Sequence, residues 1–253
     1  MPAQKTCPYC GVIGGIIRWG QTTQKRSRYR CSACSKTFTN RTGTIRHRTR
    51  LNDRQWGLLA QLISVRTCPS GADLGRIFSK HERTGQRYRR AVRKLLPDAL
   101  AGPPLAGPAE SDETTMKHIW IGGAKSRKTR QIKLSPLQNR NSAMLTNFVD
   151  NLLEKNASVF TDEWRGYREL KYSSRQHFTI CHSKEFVSKE CSGIHTNGIE
   201  GVWGHAKPLA RHTYRGYPNL TDFLKEICFL FNFSYSERKS YLLARFFRLT
   251  TNT

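Results

Sequence analysis

Four cysteines come in two pairs, CPYC (Cys7, Cys10) and CSAC (Cys31, Cys34), with twenty residues between the pairs. Each C-x2-C turn sets two thiolates on one knuckle. Two knuckles complete a tetrahedral shell of four sulfurs, which is the coordination of a zinc ion. Four protein ligands leave no open position for water, so such a zinc is structural. Cys68, Cys181, Cys191 and Cys228 show no such spacing and read as ordinary buried thiols.

Two acids in the second half carry a different chemistry. Asp162 follows apolar Val159 and Phe160 in SVFTDEW, so a strand burying those residues would end on its carboxylate. The carboxyl ends of strands are where α/β sheets gather ligand and metal groups. The same carboxylate can instead cap a helix starting at Glu163, and position alone leaves both readings open. In HTNGIEGVWGHAKP (195–208), a helix turning 100° per residue brings Asn197, Glu200, Trp203, Gly204 and Lys207 within about a third of its circumference. One face then offers an amide, a carboxylate, an aromatic anchor and a cation. Glycines at 198, 201 and 204 each cost roughly 1 kcal/mol against alanine in a helix interior. A helix tolerates that where another backbone, a metal cluster or a nucleic-acid strand approaches closely.

The elements that must position these groups follow from pattern. GVIGGIIRWGQTTQKRSRYR, between the cysteine pairs, reads as two short strands around a polar turn, giving a zinc ribbon over 1–45. Residues 52–96 read as helical, with Asn52 or Asp53 capping RQWGLLAQLIS. Two further amphipathic segments follow, one with Leu74, Ile77 and Phe78 at helical spacing and one with Tyr88, Val92, Leu95 and Leu96. A short helix, a tight turn and a more basic helix make a helix-turn-helix domain over 50–97. Its second helix carries Arg87, Arg89, Arg90, Arg93 and Lys94, suited to phosphates and guanine edges. LPDALAGPPLAGPAE has no period and gives a linker over 98–109. From 110 to 253, strands at HIWIGGA, RQIKLSPL, SVFTD and HFTICHS alternate with helices, one of them capped by Asn141 or Ser142, which implies an α/β domain.

The charge fits such a plan. The formal net charge is +25, and residues 1–100 hold 21 Lys and Arg against 4 Asp and Glu, with no acid in the first fifty. That asymmetry points to a polyanionic partner, nucleic acid, met mainly by the N-terminal half. No apolar run approaches the roughly 20 residues that span a bilayer, and MPAQKTCPYC lacks the apolar core of a signal peptide. The reading is a cytoplasmic protein whose partner is nucleic acid.

The ordered set TDEWRGY, HSKEFV, HTNGIEGVWGHAKP, TYRGYPNL and FLKEICFLFNFS resembles the catalytic half of bacterial insertion-sequence transposases of the ISXO type, to which the eukaryotic Merlin elements are related. The resemblance is specific over about 158–232 and architectural over 1–100. It implies an RNase H-like fold with a DDE acidic triad, so the chain is expected to be multi-domain: zinc ribbon, helix-turn-helix, then an α/β RNase H-like catalytic domain over 110–253. Asp162 matches the second acid and Glu200 the acid on the late helix, with Asn197 one turn earlier and Lys207 matching a residue that touches substrate DNA. The first strand of the family carries a pattern of roughly E-x-D-E-T. ESDET (110–114) matches it and makes Asp112 the first acid, with Glu110 and Glu113 as alternatives. The preceding AGPPLAGPAE, however, is no apolar central strand. If HIWIGGA were the first strand instead, it would bring no acid and break the triad.

With the triad intact, the resemblance implies that Asp112, Asp162 and Glu200 hold two Mg²⁺ or Mn²⁺ ions for strand cleavage and transfer. The ribbon and helix-turn-helix would recognise the terminal inverted repeats of double-stranded DNA, with a homo-oligomer joining two ends. The competing reading is a catalytically impaired or repurposed transposase that only binds DNA.

Overall fold

The computed structural model describes residues 5–116, 118–180, 195–213 and 220–247. The motif HSKEFV, Cys181, Cys191 and most of TYRGYPNL lie outside the described residues. The chain divides into two compact units, one of residues 1–62 with 239–253 and one of residues 63–238.

In the first unit, β1 (Ile16–Gln21), β2 (Ser27–Cys31) and β3 (Thr37–Thr39) form an antiparallel sheet in that order. The third strand is one more than the pattern announced. Among the described residues, the cluster under this sheet is Cys7, Cys31 and Phe38, with Ile16, Tyr29 and Cys34 packed at its edge. So little apolar burial cannot hold a fold of this size, and a cross-link must supply the rest. The cysteines are placed to do so: Cys7 Sγ lies 3.7 Å from Cys34 Sγ, and Cys10 Sγ 3.7 Å from Cys31 Sγ. A tetrahedron of sulfurs about 2.3 Å from a zinc ion has edges of about 3.8 Å, so the four residues fit that ion. Helix α1 (Asp53–Val65) opens with a reciprocal cap, in which Asn52 Oδ1 accepts from the Gln55 amide and Gln55 Oε1 from the Asn52 amide. Within this unit, Trp56 meets Phe246 edge to face at 5.0 Å.

The second unit begins with α2 (Gly71–Ile77) and α3 (Glu82–Arg93), joined by a four-residue turn. Ser70 caps the first and His81 the second. The helices cross so closely that a Cβ on Gly85 would stand 2.0 Å from the Gly71 carbonyl oxygen. Leu74, Phe78, Tyr88, Val92 and Leu96 are buried, as their spacing predicts, whereas Ile77 of the same set is exposed and Leu95 half-buried. The unit continues with β4 (Ala109–Met116), β5 (Ile119–Ser126), β6 (Ile132–Leu137), α4 (Ser142–Leu152), β7 (Val159–Asp162), a 3-10 helix (Arg165–Tyr172), β8 (His177–Ile180), α5 (Asn197–Thr213) and α6 (Leu220–Asn232). Helix α7 (Tyr235–Phe247) follows and runs into the first unit's residues.

The five strands lie in the order β6-β5-β4-β7-β8. β4, β5 and β6 pair antiparallel, whereas β4–β7 and β7–β8 pair parallel. Alternation along the strands separates two cores. Ile121, Ile132 and Leu134 pack with Ile199, Val202, Trp203, Phe223 and Leu224 of α5 and α6. Ala109, Ala124 and Leu137 pack with Leu145, Phe148, Val149, Tyr167 and Leu170 of α4 and the 3-10 helix. A mixed sheet covered on both faces is compatible with the RNase H-like class.

Two expectations are corrected here. The linker expected over 98–109 is part of the fold: Leu105 is buried and bridges Leu153, Ala99 joins the α5–α6 core, and Ala109 opens the central strand. The helix-turn-helix is also not a separate body, because α2 and α3 belong to the same unit as the sheet. Arg93 Nε and Nη2 reach Glu226 Oε1 and Oε2 of α6 at 3.0 and 3.4 Å, a buried, two-pronged ion pair. No helix among the described residues is long and apolar enough to cross a membrane.

Candidate active site

Asp112 stands on β4, the middle strand of the five. The parallel pairing Ala109↔Val159 and Glu110↔Phe160, continued two residues, sets Asp112 level with Asp162 at the end of β7. Opposite Asp112 on β5 is Gly123. A Cβ there would lie 2.6 Å from the six-membered ring of Trp203, so only glycine lets the indole lie on the strand. Lying there, Trp203 Nε1 donates to Asp112 Oδ2 at 2.9 Å, while Oδ1 accepts from the Glu113 amide at 2.8 Å. Sequence alone assigned Trp203 to packing; it also orients a carboxylate.

The carboxylates crowd one another. Burial first, then the charges of Glu113 and Asp162, push the Asp112 carboxyl up to about 7, against the Trp203 and Glu113 N–H groups that favour its ionised form. Glu113, on the opposite face of β4, is raised by burial and by Asp162, and its Oε2 accepts from the Tyr167 hydroxyl at 2.7 Å. Burial, then the charges of Glu113 and Asp112, raise Tyr167 well above its ordinary value, so it stays a donor. Asp162 keeps both roles open to it: Oδ1 accepts from the Trp164 amide at 3.0 Å, and its charge reaches Asp112 and Glu113.

Glu200 stands on α5, one turn before Trp203. Its Oε1 accepts from the Thr196 hydroxyl at 2.6 Å. The start of that helix is fastened by Glu110, which is 2 % exposed. Glu110 Oε2 accepts from the Ile199 amide at 2.8 Å, an N-terminal helix N–H that also reaches the Thr196 carbonyl at 3.1 Å. Glu110 Oε1 pairs with Arg127 Nε at 2.9 Å and stands 3.4 Å from His195 Nδ1. Arg127 in turn lies over the Phe160 ring and donates to the His195 carbonyl, while Lys125 Nζ donates to the Gly198 carbonyl at 3.1 Å. A Cβ on Gly198 would sit 2.6 Å from Glu110 Oε2, so this glycine answers to the sheet. Gly201 and Gly204 have no described atom within 4 Å of a built Cβ and leave an open helix surface.

The residues matched by the ISXO2-like transposase domain model are 105–232, which contain this whole constellation. The chain belongs to the ISXO2-like transposase family. A protein in transposable element ISH50 of Halobacterium salinarum is 32% identical over 129 residues, 51% of this chain and 42% of that protein. A transposase-like protein of Haemophilus influenzae is 34% identical over 98 residues, 37% of this chain and 75% of that protein. The match thus spans less than half of the Halobacterium protein. The catalytic core domain of BIV integrase is similar at 9% identity and a TM-score of 0.33, over 47% of this chain and 79% of that one, a loose likeness.

Within this family member, the structure brings Asp112 and Asp162 together and sets Glu200 on the helix bonded to Asp112. The three acids are not gathered as tightly as the cysteines, whose ligand atoms all lie within 4.8 Å of one another. That closeness is the demand of a single ion; two ions spread their ligands over a wider span. Carboxylate oxygens massed where burial opposes their charge are the donor set that hard divalent cations satisfy. Glu110 and Glu113, the alternatives for the first acid, are each held by other groups, Arg127 and Ile199 for one, Tyr167 for the other. Asn197 is exposed at the first position of α5, and Lys207 is half-buried two turns after Glu200.

On α3, Arg89 and Arg93, expected to face DNA, are only 9% and 7% exposed. They share the face that buries Gly85, Tyr88 and Val92. Arg87, Arg90 and Lys94 are exposed, and Arg83 extends them into a stripe at helical spacing. Sequence reasoning passed over Glu110, Arg127 and Tyr167 as supports of the acids, because no local pattern marks a partner that is contributed by a different strand or loop; it also passed over Thr196, which is local to Glu200 at four positions.

Proposed function

We propose that this transposase cleaves and joins DNA strands with the triad Asp112, Asp162 and Glu200. The observation that carries the reading is Asp112 on the central strand beside Asp162, with its carboxylate held by Trp203 of the helix that bears Glu200. The three carboxylates would hold divalent cations, which when bound sharpen the attacking oxygen and stabilise the leaving one at the scissile phosphate. The chain's own part is positional. Trp203 fixes the Asp112 rotamer, Glu110 and Arg127 fix the start of α5, and the open glycine surface with Lys207 offers room and charge for the substrate backbone. Arg83, Arg87, Arg90 and Lys94 on α3, with the zinc-held ribbon, would bind the transposon ends. Pairing two ends would require at least two copies of the chain. A purely DNA-binding role drew its support from an irregular region around Asp112; with Asp112 on a central strand that support is gone.

The test is cleavage of labelled DNA carrying the element's own ends, with Mg²⁺ or Mn²⁺ present or withheld. Metal-dependent nicking at the ends is expected, abolished in Asp162→Ala and in Glu200→Ala, while both variants still bind the ends. Normal cleavage by both variants would place the chemistry elsewhere.

A further inference from the structure

A groove of about 660 Å³ opens next to the acids, on the face of the sheet away from α5. Its walls are Trp120 of β5, the segment 139–142 leading into α4, and residues 164–166, 168 and 169 after β7. It adjoins the acids at two points: the Trp164 amide donates to Asp162 Oδ1 at 3.0 Å, and Arg140 Nη1 stands 3.7 Å from Glu113 Oε1. The Arg140 guanidinium lies over the Trp164 ring at 3.7 Å and over the Trp120 ring at 4.4 Å. Arg165 lies 5.4 Å from the Trp164 ring, and both Arg165 and Arg168 are exposed. Against these three cations the lining carries one acid, Glu169.

Two indoles and a stacked guanidinium offer flat faces, and the flanking arginines offer charge for an anionic backbone. A bare phosphate has no use for the indoles. Paired bases in a duplex keep their faces stacked on one another and cannot present them. An unpaired nucleotide uses both features, its base on a planar side chain and its phosphate on an arginine. The pocket's place at the carboxyl end of β7 puts such a nucleotide within a strand's reach of Asp162. We propose that this groove takes unpaired DNA nucleotides flanking the scissile phosphate, so that the transposase binds a frayed or single-stranded end better than a closed one. The proposal rests on the DNA-cleavage reading for its substrate, and its test reads the two apart.

The zinc-loaded full chain is titrated with a blunt DNA duplex and with the same duplex carrying a three-nucleotide unpaired tail that contains 2-aminopurine. The wild type is expected to bind the tailed duplex roughly tenfold tighter and to quench the 2-aminopurine as it stacks. In R165Q/R168Q, whose changes lie at exposed positions, the tailed-to-blunt ratio falls toward one. In Trp120→Leu the quenching is lost, with folding checked by circular dichroism. A wild type without tail preference overturns the proposal, as does a double variant that weakens both duplexes by the same factor. Metal-dependent cleavage is scored in the same samples. Cleavage without tail preference sinks the groove and leaves the enzymatic reading. Tail preference without cleavage in either metal sinks the enzymatic reading and leaves the groove.

Discussion

Replacing Asp112 by Asn changes stability with a sign that depends on pH. In the folded chain this carboxyl is lifted from 3.8 to about 7 by burial and by the charges of Glu113 and Asp162. A raised carboxyl pKa stabilises the folded state below its unfolded value and loses that contribution as pH rises through about 7. Three units at 1.36 kcal/mol each set an upper bound of about 4 kcal/mol for the cost of the ionised form. Water reaching the partly buried side chain reduces that to about 2–3 kcal/mol. Asn removes the charge but keeps one oxygen where two now accept, from Glu113 N and Trp203 Nε1. The lost acceptor costs about 1 kcal/mol. By pH 5, about 1.2 units above the unfolded value, the wild type has already lost about 1 kcal/mol, so the variant is expected to match it there and to be about 1–2 kcal/mol more stable near pH 8 in buffer without divalent ions. Added Mg²⁺ should stabilise the wild type near pH 8 and leave the variant unmoved. Because the chain has two compact units, a single unfolding free energy is ill defined. Hydrogen exchange of the β4 and β5 amides, with zinc retained, reads the sheet alone. An equal effect at both pH values would refute the crowding of charge at Asp112.

Gly123→Ala would drive a Cβ to 2.6 Å from the Trp203 ring; a loss of about 1–3 kcal/mol and a shifted indole emission are expected, and an unchanged spectrum would show that the indole does not lie on the strand. Glu110→Gln leaves Arg127 facing a neutral amide at a site 2 % exposed; a loss of about 2–4 kcal/mol, with faster exchange at the Ile199 amide, is expected, and an unaltered Ile199 amide would remove Glu110 as the anchor of α5. Cys7→Ser should lower bound zinc from one ion per chain to none by atomic absorption and unfold the ribbon, given how small its core is; full zinc content would reassign the ligands.

How much of this was legible depends on where the partners of each residue lie. The cysteine knuckles, the Asn141 cap and the β5–β6 hairpin are local, since every residue that decides them is within a few positions. Asn141 Oδ1 accepts from the Met144 amide as its spacing requires. β4 defeated pattern reading for the opposite reason. Its buried residues include Glu110, Ser111 and Thr114, where a central strand is expected to be apolar. The polarity is tolerable because Glu110 meets Arg127 and Ile199, Glu113 meets Tyr167, and Asp112 meets Trp203. All of these partners lie at least seventeen positions away. Burial of Arg93 has the same origin, with its counter-charge Glu226 supplied 133 positions later. The misread segments are thus those whose charges are balanced over long range. In β4 that balance is incomplete at Asp112, which is left with more negative charge around it than the fold's own donors relieve. That excess is what the proposed divalent cations would relieve.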